Sequence, residues 1–212
     1  VKLSDSIPIT TRGPSLAISP DGQTIVYKDD HQNGTLWIKR ADQLDPQPIA
    51  GTVRGFSPVF SPDGKWLAFT ADGQVRKIRV GGGATVTLAD SAATQIYSLA
   101  WLDDNTIIYT APRNDQLLRV SADGGPSTVV MADPTLRGIG ILNPNPLPHV
   151  RGVLFLACAS GCVTASIHVL DLKTGKQKSL IDDAVDAWYL PTGQILYVRR
   201  DGVALVAPFD LD

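Results

Sequence analysis

Arg12, Arg54 and Arg137 each precede a glycine, and the first two each stand seven residues ahead of a Ser-Pro-Asp-Gly turn. Equivalent placement in repeating units would aim guanidinium groups at a common axis, where they could hold a carboxylate or phosphate by charge-assisted hydrogen bonds. The competing role is structural, with each Arg bonding backbone carbonyls of the neighbouring unit. Cys158 and Cys162 flank Ala159-Ser160-Gly161, a turn length that sets the two thiols opposite each other on a hairpin. Opposed strand residues have Cα atoms roughly 4.5 to 5.5 Å apart, within the range of a disulfide. A bridge there would favour an oxidising compartment outside the cytoplasm; the alternative is a pair of small strand residues.

Other polar groups have weaker claims to chemistry. His31, His149 and His168 fall in a loop, a turn and a strand of different repeats, so no converging metal site is expected. The oxygen-rich stretch Asp29-Asp30-His31-Gln32-Asn33 lacks the ordered ligand spacing of a calcium loop and reads as a solvated hairpin end. Gly81-Gly82-Gly83 has no following Lys-Ser/Thr to complete a phosphate cradle, and there is neither a Gly-x-Ser-x-Gly elbow nor a kinase signature. The chain is therefore expected to be non-catalytic, without metal or cofactor.

These residues must be positioned by short strands. Apolar runs break and restart at Ser19-Pro20-Asp21-Gly22, Ser61-Pro62-Asp63-Gly64, Leu102-Asp103-Asp104-Asn105 and Leu190-Pro191-Thr192-Gly193, at intervals of 42, 41 and 88 residues. The last interval is two periods, and a repeat of about 40 to 45 residues with four short strands is the signature of a β-propeller blade. Asp21, Asp63 and Asp104 then serve the turn, accepting backbone hydrogen bonds two residues on. The second blade reads most clearly: 56–60, 65–70, 74–80 and 84–88, with Asp72-Gly73 as a hairpin turn. The same template gives 16–18, 24–28, 35–39 and 48–51 for the first, and 97–101, 106–110, 116–120 and 127–131 for the third. In the fourth, the Pro-rich segment 142–148 replaces the usual turn ahead of strands 153–157, 166–170 and 178–181. A fifth, 187–190, 194–198 and 203–207, stops one strand short.

The expected fold is thus all-β: one propeller domain over 1–212 with four full antiparallel blades and a fifth lacking a strand. Either Lys2–Thr10 supplies that strand and closes five blades, or the chain is truncated at its C-terminus and belongs to a six-bladed ring. An incomplete ring would leave blade edges through which two copies could pair. Trp37, Trp66, Trp101 and Trp188 do not follow the period and are expected mostly between blades.

The 19 Lys+Arg against 21 Asp+Glu give a net charge of −2 with no basic stripe, which argues against nucleic acid as a partner. No apolar run is long enough to cross a bilayer, so no membrane contact by this chain is expected.

The turns with Gln23-Thr24-Ile25-Val26-Tyr27 and Lys65-Trp66-Leu67-Ala68-Phe69 resemble the WD-like repeat of TolB-type propellers across the whole chain. More narrowly, Leu36-Trp37-Ile38-Lys39-Arg40, Val80-Gly81-Gly82-Gly83 and Val206-Ala207-Pro208-Phe209-Asp210 are similar to the C-terminal propeller of bacterial membrane-bound serine/threonine protein kinases. That resemblance implies a binding or sensor module outside the cytoplasm, recognising a protein segment or small ligand at a loop face or channel mouth. Two alternatives stay open: the substrate-gating propeller of a prolyl-oligopeptidase-like peptidase, and a TolB-like secretion or envelope interaction protein.

Overall fold

Among the described residues, nineteen short strands, each too narrow to bury a core alone, fold into five successive antiparallel sheets. The computed structural model describes residues 16–28, 34–90, 96, 98–111, 115–136, 140–159 and 162–211. Blade 1 comprises β1 (Leu16–Ile18), β2 (Thr24–Lys28), β3 (Leu36–Arg40) and β4 (Gln47–Pro48); blade 2 comprises β5 (Phe56–Phe60), β6 (Trp66–Ala71), β7 (Gln74–Arg79) and β8 (Val86–Asp90). Blade 3 is β9 (Leu99–Trp101), β10 (Thr106–Thr110), β11 (Leu117–Ser121) and β12 (Thr128–Met131). Blade 4 is β13 (Gly140–Pro146), β14 (Gly152–Ala159), β15 (Thr164–Asp171) and β16 (Gln177–Asp182), and blade 5 is β17 (Ala184–Leu190), β18 (Gln194–Arg199) and β19 (Ala204–Pro208). Each sheet is a meander in sequence order, and the first strands β1, β5, β9, β13 and β17 contact one another in turn, which makes them the inner strands of a five-bladed β-propeller.

The apolar faces of neighbouring blades close on each other, so the core among the described residues is four slabs. Val26, Leu36 and Ile38 of blade 1 meet Leu67, Phe69 and Ile78 of blade 2. Leu88 and Val75 of blade 2 meet Trp101, Ile107 and Tyr109 of blade 3; Ile108 and Leu117 meet Phe155 and Leu170; Leu154 and Ile167 meet Ala187 and Ile195. Alternation along each strand lets one sheet feed both of its slabs. Trp101 is buried as expected; Trp66 is half-buried against the core between blades 2 and 3, with Lys77 Nζ at 4.6 Å and Arg79 Cζ at 4.7 Å from its ring centroid, whereas Trp188 is 39% exposed.

The turns show why Ser-Pro-Asp-Gly recurs. Ser19 Oγ donates to Asp21 Oδ1 at 2.5 Å, Asp21 Oδ1 accepts from the Gln23 amide at 2.9 Å, and Ser19 Oγ accepts from the Thr24 amide at 2.9 Å. Ser61, Asp63, Lys65 and Trp66 repeat the pattern. The serine hydroxyl first, then the backbone amide, holds both carboxyls below the usual range. Gly22 and Gly64 adopt φ of 71° and 69°, and Asn105 takes the same left-handed role in blade 3 at 61°. Asparagine tolerates that region better than other side chains, so the departure from glycine leaves the turn intact.

Blade 4 departs from the sequence-based reading. The Pro-rich segment is not a replacement for the turn: residues 140–146 are the inner strand β13, which keeps pairing with β14 across a register shift between Leu142 and Asn145. The turn follows it, where the Leu147 amide donates to the Gly152 carbonyl at 2.9 Å, as Ser61 does to Trp66 and Ser19 to Thr24. Proline is admitted because β13 pairs with a strand of its own blade on one side only. Leu147 therefore restores the period, 45 residues after Leu102 and 43 before Leu190. Blade 5 has three strands among the described residues; the segment expected to complete it, Lys2–Thr10, lies outside them.

Candidate functional site

With Leu147 as the fourth turn, two sequence positions at or just before the inner strands fall into register from blade to blade. The position four residues before each turn holds Ser57, Ser98, Asn143 and Asp186, all polar, and Ser15 outside the described residues. Ser57 and Asn143 adopt φ of 50° and 47° within register shifts of β5 and β13, and β17 shifts between Ala184 and Asp186. Such bulges re-aim side chains at strand ends.

Three of these residues join consecutive blades. Ser98 Oγ accepts from the Asn143 amide at 3.1 Å and donates to Asn143 Oδ1 at 3.4 Å; Asn143 Nδ2 donates to Asp186 Oδ2 at 3.3 Å. Asp186 Oδ1 accepts from Asn145 Nδ2 at 3.0 Å and from the Ala187 amide at 2.9 Å. A strip of hydrogen bonds thus runs from blade 3 to blade 5 along the inner strands. Burial raises the Asp186 carboxyl to about 7, and the three donors only partly oppose that shift. Part of the residue still meets solvent, yet the carboxylate is crowded by neutral groups. The strip can therefore accept hydrogen-bond donors and take up or release a proton near neutrality.

The position seven residues before each turn is the one expected to carry guanidiniums. Arg54, at φ 57°, directs its Nε to Asp72 Oδ1 at 2.9 Å, on the β6–β7 hairpin of its own blade. The equivalent residue of blade 5 is Asp183, also at φ 57°, whose Oδ1 meets Arg200 Nε at 3.2 Å on the β18–β19 hairpin. Two blades fill one slot with the charges reversed, so this position clamps an entry loop to a hairpin. Arg54 is 70% exposed, with Asp72 already on its guanidinium. The residue of blade 4 in this register is Gly140 and not Arg137; Arg137 and Arg12 lie outside the described residues.

Cys158 and Cys162 are brought together as a disulfide with Cα atoms 4.6 Å apart. They are not opposed strand residues: Cys158 pairs across the ladder with Ala165, and Cys162 sits in the turn at φ 68°. A bridge of sequence separation 4 closes a very short loop, worth about 1 to 2 kcal/mol on a loop-entropy estimate. Replacing both cysteines with serine should lower the thermal midpoint by a few degrees without altering the far-ultraviolet circular dichroism, and a thiol titration of the unreduced protein should find no free thiol.

His168 is buried between Ser166 and Gln177, and His149 donates its amide to Asp103 of the blade 3 turn at 2.8 Å; His31 is outside the described residues. Among the described residues no three His, Cys, Asp or Glu side chains gather where they could hold a metal ion, and no helix is long and apolar enough to cross a membrane. The strip Ser98–Asn143–Asp186 was missed from sequence because Pro144 and Pro146 disguised the register that aligns Asn143 with Ser57.

No family model matches the chain, and no curated protein sequence matches it. Solved structures do. A putative TolB from Agrobacterium tumefaciens superposes with a TM-score of 0.70 at 17% identity, covering 92% of this chain and 74% of that one. TolB from Acinetobacter baumannii gives 0.68 at 17% identity, with 92% of this chain spanning 54% of that protein, and Kuenenia stuttgartiensis hydrazine synthase gives 0.62 at 12%, covering 99% and 70%. At these identities the likeness is one of fold.

Proposed function

We propose that this chain is a non-catalytic recognition module that binds a protein segment or small ligand at the channel-entry end of the propeller. The observation that carries it is the alignment of polar residues on consecutive inner strands: Ser98, Asn143 and Asp186 form one hydrogen-bonded strip, with Arg54 three residues ahead of Ser57 at the same end. Propeller loops at a channel mouth place such groups on a rigid scaffold, which suits recognition. The TolB-like fold and the resemblance of the repeats to kinase-linked propellers support a place in a larger bacterial signalling protein. The Cys158–Cys162 bridge supports a location outside the cytoplasm, where disulfides persist. Within this reading the whole chain is one propeller domain, and Arg12, which stands in the same sequence register as Arg54, would add a second cationic group for an acidic ligand.

A peptide-display selection on the purified protein tests the reading. Selected peptides should lose binding to the Asn143→Ala and Arg54→Ala variants and keep it with Val206→Thr on β19, a strand at the periphery of blade 5. Because the Arg54–Asp72 pair is exposed, Arg54→Ala should leave the thermal midpoint nearly unchanged. Peptides indifferent to both inner-end variants, or reproducible hydrolysis by the chain, would overturn it.

A further inference from the structure

Beyond the channel, blade 4 carries a cleft of about 400 Å³ whose chemistry the channel reading does not use. Its size falls within the usual range for small-ligand sites. Three lining residues form one row across the sheet: Ala157 of β14 pairs with Ser166 of β15, which pairs with Asp182 of β16. Side chains directly opposite on a sheet share a face, so the row places a small apolar floor, a hydroxyl and a carboxylate side by side. Ala159 and Val163 extend the apolar wall, next to the Cys158–Cys162 bridge that fixes the hairpin carrying them.

A hydrogen-bonded relay stands beside the hydroxyl. Gln177 Nε2 donates to Asp133 Oδ2 at 2.8 Å, and Gln177 Oε1 lies 2.7 Å from His168 Nδ1. Ser166 Oγ lies 2.9 Å from His168 Nε2. With the imidazole proton on Nδ1 alone, Ser166 donates inward to Nε2 and its lone pairs face the cleft. Asp182 adds a carboxylate with no ion pair among the described residues, since Arg200 takes the neighbouring Asp183. One hydroxyl and one carboxylate, three oxygens together, are too few for a hard cation such as calcium, which takes six or more. They suit a ligand that donates hydrogen bonds, carries positive charge and has a hydrocarbon body to cover the alanines and the valine.

We propose that this cleft binds a small amphipathic amine, with the ammonium between Asp182 and Ser166 Oγ and the hydrocarbon body over Ala157, Ala159 and Val163. The test is a titration of n-hexylamine, hexan-1-ol and hexanoate into the intact, oxidised protein at pH 7, followed by amide chemical shifts of 157–168. Hexylamine should give saturable shifts confined to the cleft, hexan-1-ol should bind about tenfold more weakly, and hexanoate should give none. Asp182→Asn should bring hexylamine down to the level of hexan-1-ol. Ala159→Leu should fill the cleft and abolish both; if that variant fails to fold, Asp182→Asn, on an exposed side chain, decides the matter alone. Equal binding of amine and alcohol, indifference to Asp182→Asn, or no saturable shift with any probe would overturn the proposal.

Discussion

Asp186→Asn is expected to flatten the pH dependence of stability between pH 5 and pH 8. The Asp186 carboxyl is raised from 3.8 to about 7 by burial, so between those values the folded protein holds a proton that the unfolded chain has released. Stability then falls as pH rises through that window and levels off above pH 7, because ionising the carboxyl in the folded state costs more than in water. A tenfold difference in acidity between the folded and unfolded states is worth about 1.4 kcal/mol, and with allowance for the part of the residue that meets solvent the loss between pH 5 and 8 is on the order of 2 kcal/mol. The neutral amide does not titrate. It can keep accepting from Asn145 and Ala187, while Asn143, hydrogen-bonded on its other side to the rotatable Ser98 hydroxyl, can turn its amide to suit. Urea unfolding of the native and variant proteins at pH 5 and 8 measures this directly. Identical pH slopes for the two would show that the carboxyl is not desolvated.

Gly152→Ala should be the most damaging single methyl in the protein. A Cβ at this position would lie 2.2 Å from the Leu170 carbonyl oxygen and 3.3 Å from its carbon. Both are backbone atoms of the β14–β15 ladder, where Gly152 pairs with Asp171, so neither can swing aside as a side chain tip would. The Leu147 turn also depends on the Gly152 carbonyl. Relief requires parting the longest hairpin of the fold, and a backbone shift of that kind costs about 3 kcal/mol or more. For a domain of this size that corresponds to a fall of roughly 6 to 12 °C in the thermal midpoint. Gly81→Ala, whose Cβ would meet nothing within 4 Å, is the matching control and should be close to neutral. A Gly152→Ala protein that melts with the control would mean that β14 and β15 do not approach this closely.

The fold was legible because the turn chemistry repeats: Ser and Asp side chains satisfy the same amides in blades 1 and 2, and the period follows from counting between them. Strand ends moved by up to three residues, as with β8, which begins at Val86 after the glycine run, and β17, which begins at Ala184. The larger departure, β13, arose because prolines usually end strands, while here the inner strand has only one partner in its own sheet and tolerates them. That misplacement propagated to the site. It set Arg137 beside Arg54 when Gly140 holds the register, and it hid the alignment of Asn143 and Asp186 with the serines. The reversal of charge between Arg54 and Asp183 could not be found by searching for repeated arginines.

That reversal has an evolutionary consequence. What the slot preserves is a relation between two positions, since Arg54 with Asp72 and Asp183 with Arg200 are interchangeable solutions to one geometric demand. Drift at such a slot must pass through a like-charged intermediate or a neutral one, so substitutions there should travel in pairs. The trace left in related chains would be covariation between an entry loop and its hairpin about 17 residues later, invisible to any measure that scores one column at a time.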